Sequence, residues 1–368
     1  MRVEIDSPRS LPAGGARWRA GSRGSRGVAP AVTGLALLIL GACGGGQGTA
    51  RVVIPPGATF RVAADSLEKA GVIGSARLFR VYASLGGNDR RIRPGTYVMS
   101  RRTSWSAAVN ALTNGTGLIR TVTIPEGYAI TEIASLLART LGVEEDSVLA
   151  ATRDSATLRR LDIPTPTLEG YLFPDTYSFS DGTSARDAVE TMVRRFEQVW
   201  DPQWKSKLDK VALSRHDVMT LASIVEKEAK LAAERPVIAA VYLNRLRTGM
   251  RLQADPTVQY AMGRHSTRLF YKDLRVDSPY NTYEHAGLPP GPIASPGRAS
   301  IVAALDPAAV PYRYFVAHPD GHHEFHVDYR SHERAVAAVR RARDAAAKSD
   351  AASPPNASRA PGRGPSRR

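Results

Sequence analysis

Ser214-Arg215-His216-Asp217-Val218-Met219-Thr220-Leu221-Ala222-Ser223-Ile224-Val225-Glu226-Lys227-Glu228 is the stretch from which the rest of the chain is placed. Ser214 and Asp217 have the spacing of a capping box, with Asp in place of the usual Glu or Gln. Val218, Leu221, Ala222 and Val225 follow at helical spacing and predict an amphipathic helix. Glu226 falls beside that apolar stripe, one turn after Ala222. Glu228 lies two residues on, and positions i and i+2 do not share a helix face, so the two are not a proton-sharing pair. A carboxyl at an apolar border loses solvation and holds its proton more readily, which suits a general acid. The same Glu226 also reads as a solvated surface group that can pair with Lys230 at i+4.

Outward toward the C-terminus, a second helix has Pro236 in its first turn and Gly249 at its end. Three Pro- or Gly-rich loops follow: Leu252–Thr257, Ser278–Tyr283 and Gly287–Gly297. Such density of Pro and Gly fixes backbone, as a loop lining a groove requires. Tyr280, Asn281 and Tyr283 offer the stacking faces and hydrogen bonds that sugars use, and each also reads as turn chemistry. Further on, His318, His322, His323, Glu324, His326, Asp328 and His332 form a tract dense in metal-ligating types. Against a metal, His318-Pro319-Asp320-Gly321-His322 reads as a hairpin turn, and the alternation over Glu324–Tyr329 as a strand. No metal site is expected.

Toward the N-terminus lies an internal repeat. Val52-Val53-Ile54-Pro55-Pro56-Gly57 returns 70 residues later as Val122-Thr123-Ile124-Pro125-Glu126-Gly127, and the match continues through Ala64/Ala134 and Leu67/Leu137. Each copy predicts a strand, a Pro-x-Gly turn and an amphipathic helix. Between them, Arg93–Val98 reads as a turn entering a strand and Trp105–Leu112 as a helix. The strand–turn–helix beginnings resemble LysM modules, which bind N-acetylglucosamine-containing glycans. A spacer that holds the next domain off a membrane is the other reading.

At the start of the chain, Arg17, Arg19, Arg23 and Arg26 precede an apolar run from Val28 to Ala42. As a helix that run spans about 22 Å, short of the roughly 30 Å hydrocarbon core. The pattern is that of an export signal. It ends Leu40-Gly41-Ala42-Cys43, similar to the lipobox of bacterial lipoproteins, in which the cysteine carries the lipid. A short transmembrane anchor is the other reading. Either way the Arg-rich flank stays inside and residues 51–340 lie outside the cytoplasm, with Gly44–Gly48 as a tether. Cys43 is the chain's one cysteine, which rules out an internal disulfide and multi-cysteine metal sites; lipidated, it also rules out a Cys–His enzyme. The net charge of +15 suggests an anionic partner, but residues 1–50 carry six Arg against two acids and residues 341–368 seven Lys+Arg against two Asp. The charge therefore sits mostly at the two ends, and with no zinc-finger, RNP-like or phosphate-loop motif it does not point to nucleic acid.

Five strings taken in order carry a family resemblance: Leu221–Glu228, Asn244-Arg245-Leu246, Leu252-Gln253-Ala254-Asp255-Pro256-Thr257, Tyr280-Asn281-Thr282-Tyr283 and Gly287-Leu288-Pro289-Pro290-Gly291-Pro292-Ile293. Together with Leu168-Glu169-Gly170-Tyr171-Leu172-Phe173-Pro174-Asp175-Thr176-Tyr177, they resemble the MltG (YceG-like) endolytic murein transglycosylases, with the match running over about 120–290 and fading toward His332. That family has a membrane anchor, usually one transmembrane helix where this chain has its lipobox-like cysteine, and a LysM-like subdomain.

The resemblance implies an α+β protein with an export signal or anchor and Gly-rich tether (1–50), an N-terminal α+β subdomain (51–117), a LysM-like subdomain (118–165), a mixed α/β catalytic domain (166–340) and a disordered basic tail (341–368). It implies a lyase, without cofactor, that cuts the MurNAc-β-1,4-GlcNAc bond inside glycan strands and leaves 1,6-anhydro ends. Glu226 would protonate the glycosidic oxygen and then, as carboxylate, take the proton from the muramyl C6 hydroxyl that attacks C1. Gln253, Asn281 and Tyr283 are the candidates to stabilise the oxocarbenium-like state, with Glu228 and Glu169 orienting or structuring the site. The implied partners are peptidoglycan strands, the membrane and peptidoglycan synthases, and the implied location is the periplasmic side of the inner membrane. A non-catalytic, lipid-anchored glycan-binding scaffold is the alternative.

Overall fold

A computed structural model describes residues 48–88, 92–263 and 269–352, with side chains to 345. The expected export signal, the lipobox-like stretch with Cys43, most of the Gly44–Gly48 segment and the last part of the basic tail lie outside the described residues.

The chain opens with strand β1 (Thr49–Ile54), helices α1 (Phe60–Lys69) and α2 (Ala76–Leu85) and strand β2 (Gly95–Ser100). In β1 every second residue is buried, so Ala50, Val52 and Ile54 point to one core. The Thr59 hydroxyl caps α1 by accepting the Val62 N–H at 3.4 Å. Helix α3 (Trp105–Asn114) leads to β3 (Leu118–Thr123), then α4 (Ile130–Leu141), α5 (Glu145–Ala151), α6 (Ser155–Arg160) and β4 (Thr176–Ser180). The four strands form one antiparallel sheet in the order β1-β2-β3-β4. Each repeat copy is thus a strand, two or three helices and a returning antiparallel strand. The two halves of the sheet meet at only two paired positions, Thr96↔Ile119 and Tyr97↔Leu118.

Two hydrophobic clusters follow from this. One is built from Ala50 to Leu118 and includes Leu67, Phe79 and Leu112. The other runs from Val122 to Leu305 and joins the second repeat copy to everything downstream. That second cluster surrounds α9 (Arg215–Glu228), which follows α7 (Ala185–Val199) and α8 (Lys205–Val211). The capping box forms as expected: the Ser214 hydroxyl accepts the Asp217 N–H at 3.0 Å, and Asp217 accepts the Ser214 N–H at 3.1 Å. The helix is less amphipathic than its sequence pattern suggests, because every residue from Val218 to Val225 is buried. Thr220 and Ser223 tolerate this by donating their hydroxyls to the His216 and Thr220 carbonyls. Helices α10 (Arg235–Arg247), α11 (Asp255–Ala261) and α12 (Arg298–Leu305) pack around it.

The chain closes with a hairpin, β5 (Tyr314–Ala317) and β6 (His323–His326), and the long helix α13 (Tyr329–Ala352). Helix α13 runs past residue 340, where the disordered tail was expected to begin. Residues 341–352 are rich in Ala and Arg and hold no Pro or Gly, so nothing stops the helix before the proline-rich segment. Within the tract of histidines, His322 Nδ1 pairs with Asp320 and His323 Nδ1 with Glu234, at 2.6 and 2.7 Å. No three His, Cys, Asp or Glu among the described residues converge as a metal would need. No helix among the described residues is long and apolar enough to cross a membrane.

Candidate active site

Helix α9 delivers Glu226 at its last turn, just past the buried segment. The side chain is 7% exposed, so the border position does strip solvent from the carboxyl. Its surroundings are polar, however. Oε2 accepts the Ser300 hydroxyl at 2.7 Å and the Gly297 N–H at 3.0 Å, both from the start of α12. Oε1 accepts from Arg235 Nη2 at 3.3 Å. Arg235 also donates through Nε to Ser300 at 3.0 Å, so guanidinium, hydroxyl and carboxyl form one network. Glu226 therefore pairs with a residue nine positions on, where sequence spacing offered Lys230.

The turn of the second repeat copy closes over this network. Gly127 stands 3.7 Å, measured from the position of an added Cβ, from Glu226 Cγ and from Lys227 Cδ. Its φ of +78° is a conformation L side chains rarely adopt. Its N–H donates to the Ser295 carbonyl at 2.8 Å, and its carbonyl accepts Lys227 Nζ at 3.1 Å. The neighbouring Glu126 reaches Arg235 Nη2 at 4.0 Å. Burial and then the charge of Glu226 raise the Glu126 carboxyl above its ordinary value, with Arg235 opposing. Sequence reasoning placed Glu126 in a repeat and gave it no part in the site. The signal was present in the repeat itself: the aligned position of the first copy is Pro56.

Glu228 turns away from Glu226. Its carboxyl accepts the Tyr242 hydroxyl at 2.9 Å, and burial pushes it up to about 7. Glu169 is buried, accepts the Ile130 N–H at 3.1 and 3.2 Å on its two oxygens, and takes the Tyr260 hydroxyl at 3.3 Å. Burial pushes it, too, up to about 7. It lines a cavity of about 660 Å³ with Lys227, Glu132, Arg153, Tyr260 and Ile293, one helix residue away from Glu226. Desolvation lowers the Lys227 ammonium, which Glu132, Glu226 and Glu169 oppose.

The loops carry the remaining candidates. Asn281 is fully buried; its amide donates to the Leu274 and Val276 carbonyls and its oxygen accepts the Tyr283 N–H. Its hydrogen bonds thus go to the loop backbone. Tyr283 donates its hydroxyl to Asp255 at 2.6 Å. Gln253 is exposed, at a left-handed φ of 48°, and its N–H donates to the Thr282 carbonyl. The Asn244-Arg245 pair is likewise spent on backbone carbonyls, those of Val310, Tyr312, Arg313 and Leu252. The Pro-rich loop is tied to α9 where the Ile293 N–H donates to Ser223 and to its first turn where His216 Nε2 meets the Pro290 carbonyl. Chemically, the arrangement presents one nearly buried carboxyl held in place by three donors, next to a cavity lined by Lys227, Glu169 and Tyr260, and contains no preformed metal cage among the described residues.

The chain is similar to known proteins over most of its length. An endolytic murein transglycosylase of Bacillus subtilis (strain 168) is 37% identical over 303 residues, covering 78% of this chain and 84% of that protein. An endolytic murein transglycosylase of Streptococcus pneumoniae (strain D39) is 29% identical over 318 residues, and the match spans 57% of its length. The 2.6 Å crystal structure of a YceG-like protein from Listeria monocytogenes superposes with a TM-score of 0.58 at 33% identity, covering 78% of this chain and 98% of that one. Residues 52–338 match the YceG-like family, and the chain belongs to that family.

Proposed function

We propose that this protein is an endolytic murein transglycosylase, a lyase that cuts the MurNAc-β-1,4-GlcNAc bond within peptidoglycan strands and leaves 1,6-anhydroMurNAc ends. The observation that carries the reading is Glu226: a nearly buried carboxyl at the end of a buried helix, oriented by Arg235, Ser300 and the Gly297 N–H. One carboxyl suffices because the nucleophile is the substrate's own C6 hydroxyl. Glu226 gives its proton to the glycosidic oxygen as the bond breaks, and the carboxylate then takes the C6 hydroxyl proton as that oxygen closes on C1. The preorganised donors hold the carboxyl in one orientation for both transfers.

Tyr283, held by Asp255, and the exposed Gln253 are read as the groups that meet the sugar. Asn281 acts by fixing the loop that carries Tyr283, and Glu228 and Glu169 act as structural carboxyls on either side of α9. The two strand–helix–helix units are read as LysM-like, supported by their antiparallel paired strands, with the glycan passing from the second unit into the cleft. In the proposed domain organisation 51–117 is one subdomain, the LysM-like unit that begins at 118 extends past 165 to its returning strand β4 (Thr176–Ser180), and the catalytic domain continues to 340. Cys43 is the proposed lipid anchor, with the catalytic domain on the periplasmic face of the inner membrane, near the synthases that make the strands. No observation favours the non-catalytic scaffold.

The test is mass spectrometry of peptidoglycan digested by wild type and by Glu226→Gln. Wild type should give internal cuts with 1,6-anhydro ends. The variant, folded by circular dichroism, should lose at least about a thousandfold in rate, because an amide can neither give nor take the proton. Full activity in the variant would remove the assignment.

A further inference from the structure

Helix α2 carries two apolar faces. Ala76, Phe79 and Ala83 are buried in the first cluster. Leu78, Val81, Tyr82 and Leu85 follow one another at i, i+3, i+4 and i+7 on the opposite side and are 57, 56, 42 and 86% exposed. One exposed leucine needs no explanation, but a stripe two turns long marks a surface that meets something. Its flank is basic. Arg77 and Arg80 stand beside it, and α2 holds no acid. Arg61, exposed in the first turn of α1, lines with Arg80 a groove of about 520 Å³ whose walls include Phe60, Val81 and Leu85. Asp65 lies 3.9 Å from Arg80, while Arg61 and Arg77 are turned to solvent. Guanidinium groups beside an exposed aliphatic stripe are the composition of a helix that lies in a bilayer interface, with its apolar face among acyl chains and its cations on phosphates.

We propose that the Leu78-Val81-Tyr82-Leu85 face of α2 docks on the anionic lipid surface beside the chain's own anchor, with Arg61 and Arg77 taking lipid phosphates. Two observations select a bilayer as the occupant. The first is where the chain enters. The Arg101 N–H donates to the Gly48 carbonyl at 3.1 Å and the Arg102 N–H to the Gly71 carbonyl at 3.0 Å, so residue 48 and the connection from α1 to α2 share one end of the first unit. Residues 44–48 separate Cys43 from the start of β1 at Thr49, a span of about 20 Å at full extension. The second is charge. A basic flank complements anionic headgroups, whereas two copies meeting through this face would bring two basic flanks together. The first repeat copy then has a task of its own: it seats the chain on the membrane through α2, while the second copy meets α9.

This rests on the proposed membrane anchoring, and the experiment reads the two apart. The full chain carrying Ser84→Cys, at the edge of the face, is purified from membranes and labelled there with an environment-sensitive fluorophore. A lipid on Cys43 leaves that thiol as the chain's only one. Mass spectrometry reads the lipid. If Cys43 is free, the lipid-anchor reading fails by itself, and the same measurement is made with Cys43→Ser and vesicles added from solution. On vesicles of phosphatidylcholine and phosphatidylglycerol the emission at residue 84 should move to the blue and be quenched by brominated acyl chains. A label at Ser180→Cys, exposed on β4, should stay in water. Leu78→Ser with Leu85→Ser, and separately Arg61→Gln with Arg77→Gln, should each lower the ratio of docked to undocked chain at least about tenfold, with circular dichroism and cleavage of free glycan strands kept. A label at 84 that stays in water on vesicles carrying the chain overturns the proposal. So does an equal shift on pure phosphatidylcholine, or a shift that survives either pair of substitutions. A shift without vesicles that grows with protein concentration overturns it as well and assigns the face to a second copy.

Discussion

The two repeat copies have the same core and different surroundings. Val52, Ile54, Ala64 and Leu67 are buried in the first, and Val122, Ile124, Ala134 and Leu137 occupy the same places in the second. Both turns end in a glycine of left-handed φ, +74° at Gly57 and +78° at Gly127. An added Cβ at Gly57 meets nothing within 4 Å, whereas at Gly127 it meets Glu226 and Lys227. The helix caps differ in the same sense. Thr59 caps its own helix, but the aligned Ala129 has no hydroxyl, and the N-terminus of α4 is served by Glu132 and by the distant Glu169. The second copy has thus exchanged self-sufficient local chemistry for contacts to α9 and to the segment before β4. A repeated fold joins the proposed site through its turn and its cap, with the same residues in its core.

Core truncation tests whether the copies are energetically separate. Leu67 and Leu137 are both fully buried, in different clusters. Leu67→Ala and Leu137→Ala should each cost about 3 kcal/mol by cavity formation. Because the sheet halves meet at only two paired positions, the first loss should stay in residues 49–117 when read by hydrogen exchange, with cleavage kept. Leu137→Ala should lower stability and cleavage together. Equal loss of cleavage in both would show that the two clusters act as one.

The caps predict a different pH behaviour. Glu169 is raised by burial from 4.5 to about 7, so its neutral form is the one the folded state favours. Its contribution is complete below the unfolded value near 4.5 and is lost as pH rises through about 7, a change on the order of 3 kcal/mol. Thermal unfolding of wild type should therefore become easier between pH 5 and 8. Glu169→Gln, which mimics the neutral form, should flatten that slope; Glu228, raised in the same way, leaves a second part of it to Glu228→Gln. A slope unaltered in both variants would exclude these carboxyls as its source.

Much of this was legible from local sequence. The capping box, the helix pair around Pro236 and Gly249, and the duplicated strand–turn–helix each depend on residues within a few positions, and each formed. The place of Glu226 at the end of its helix was legible because the helix signals run up to it. What could not be read were contacts across sequence: Arg235 and Ser300 reach Glu226 from 9 and 74 residues away. Asn281 looked like a sugar ligand because an Asn between two Tyr offers the right groups, but its burial commits them to backbone. The all-round burial of α9 was missed because Thr220 and Ser223 look polar until their hydroxyls are paired within the helix. Glu126 was hidden by its own repeat, since attention to what the copies share passes over the position where they differ.

The turn glycines sharpen that difference at smaller cost. Ala at either position must adopt a left-handed φ, worth roughly 1–2 kcal/mol. Gly57→Ala and Gly127→Ala should lower stability by similar amounts. Only Gly127→Ala should also lower kcat, because its turn bears Glu126 and its carbonyl holds Lys227. Equal kcat in the two variants would mean that the turn only covers the site.

The smallest effect belongs to the first copy's cap. The Thr59 hydroxyl accepts the Val62 N–H at 3.4 Å, a long bond on an exposed helix end. Thr59→Ala should therefore cost about 0.5–1 kcal/mol, the lower part of the range for a lost N-cap. No titrating group takes part, so the loss should be the same at pH 5 and pH 8, in contrast with the Glu169 cap of α4. This helix belongs to the first cluster and α9 to the second, so the rate of glycan cleavage should not change. A pH-dependent loss, or a lower rate, would mean that the first copy is coupled to the site through its cap as the second copy is. The division of labour between the copies would then lie in degree and not in kind.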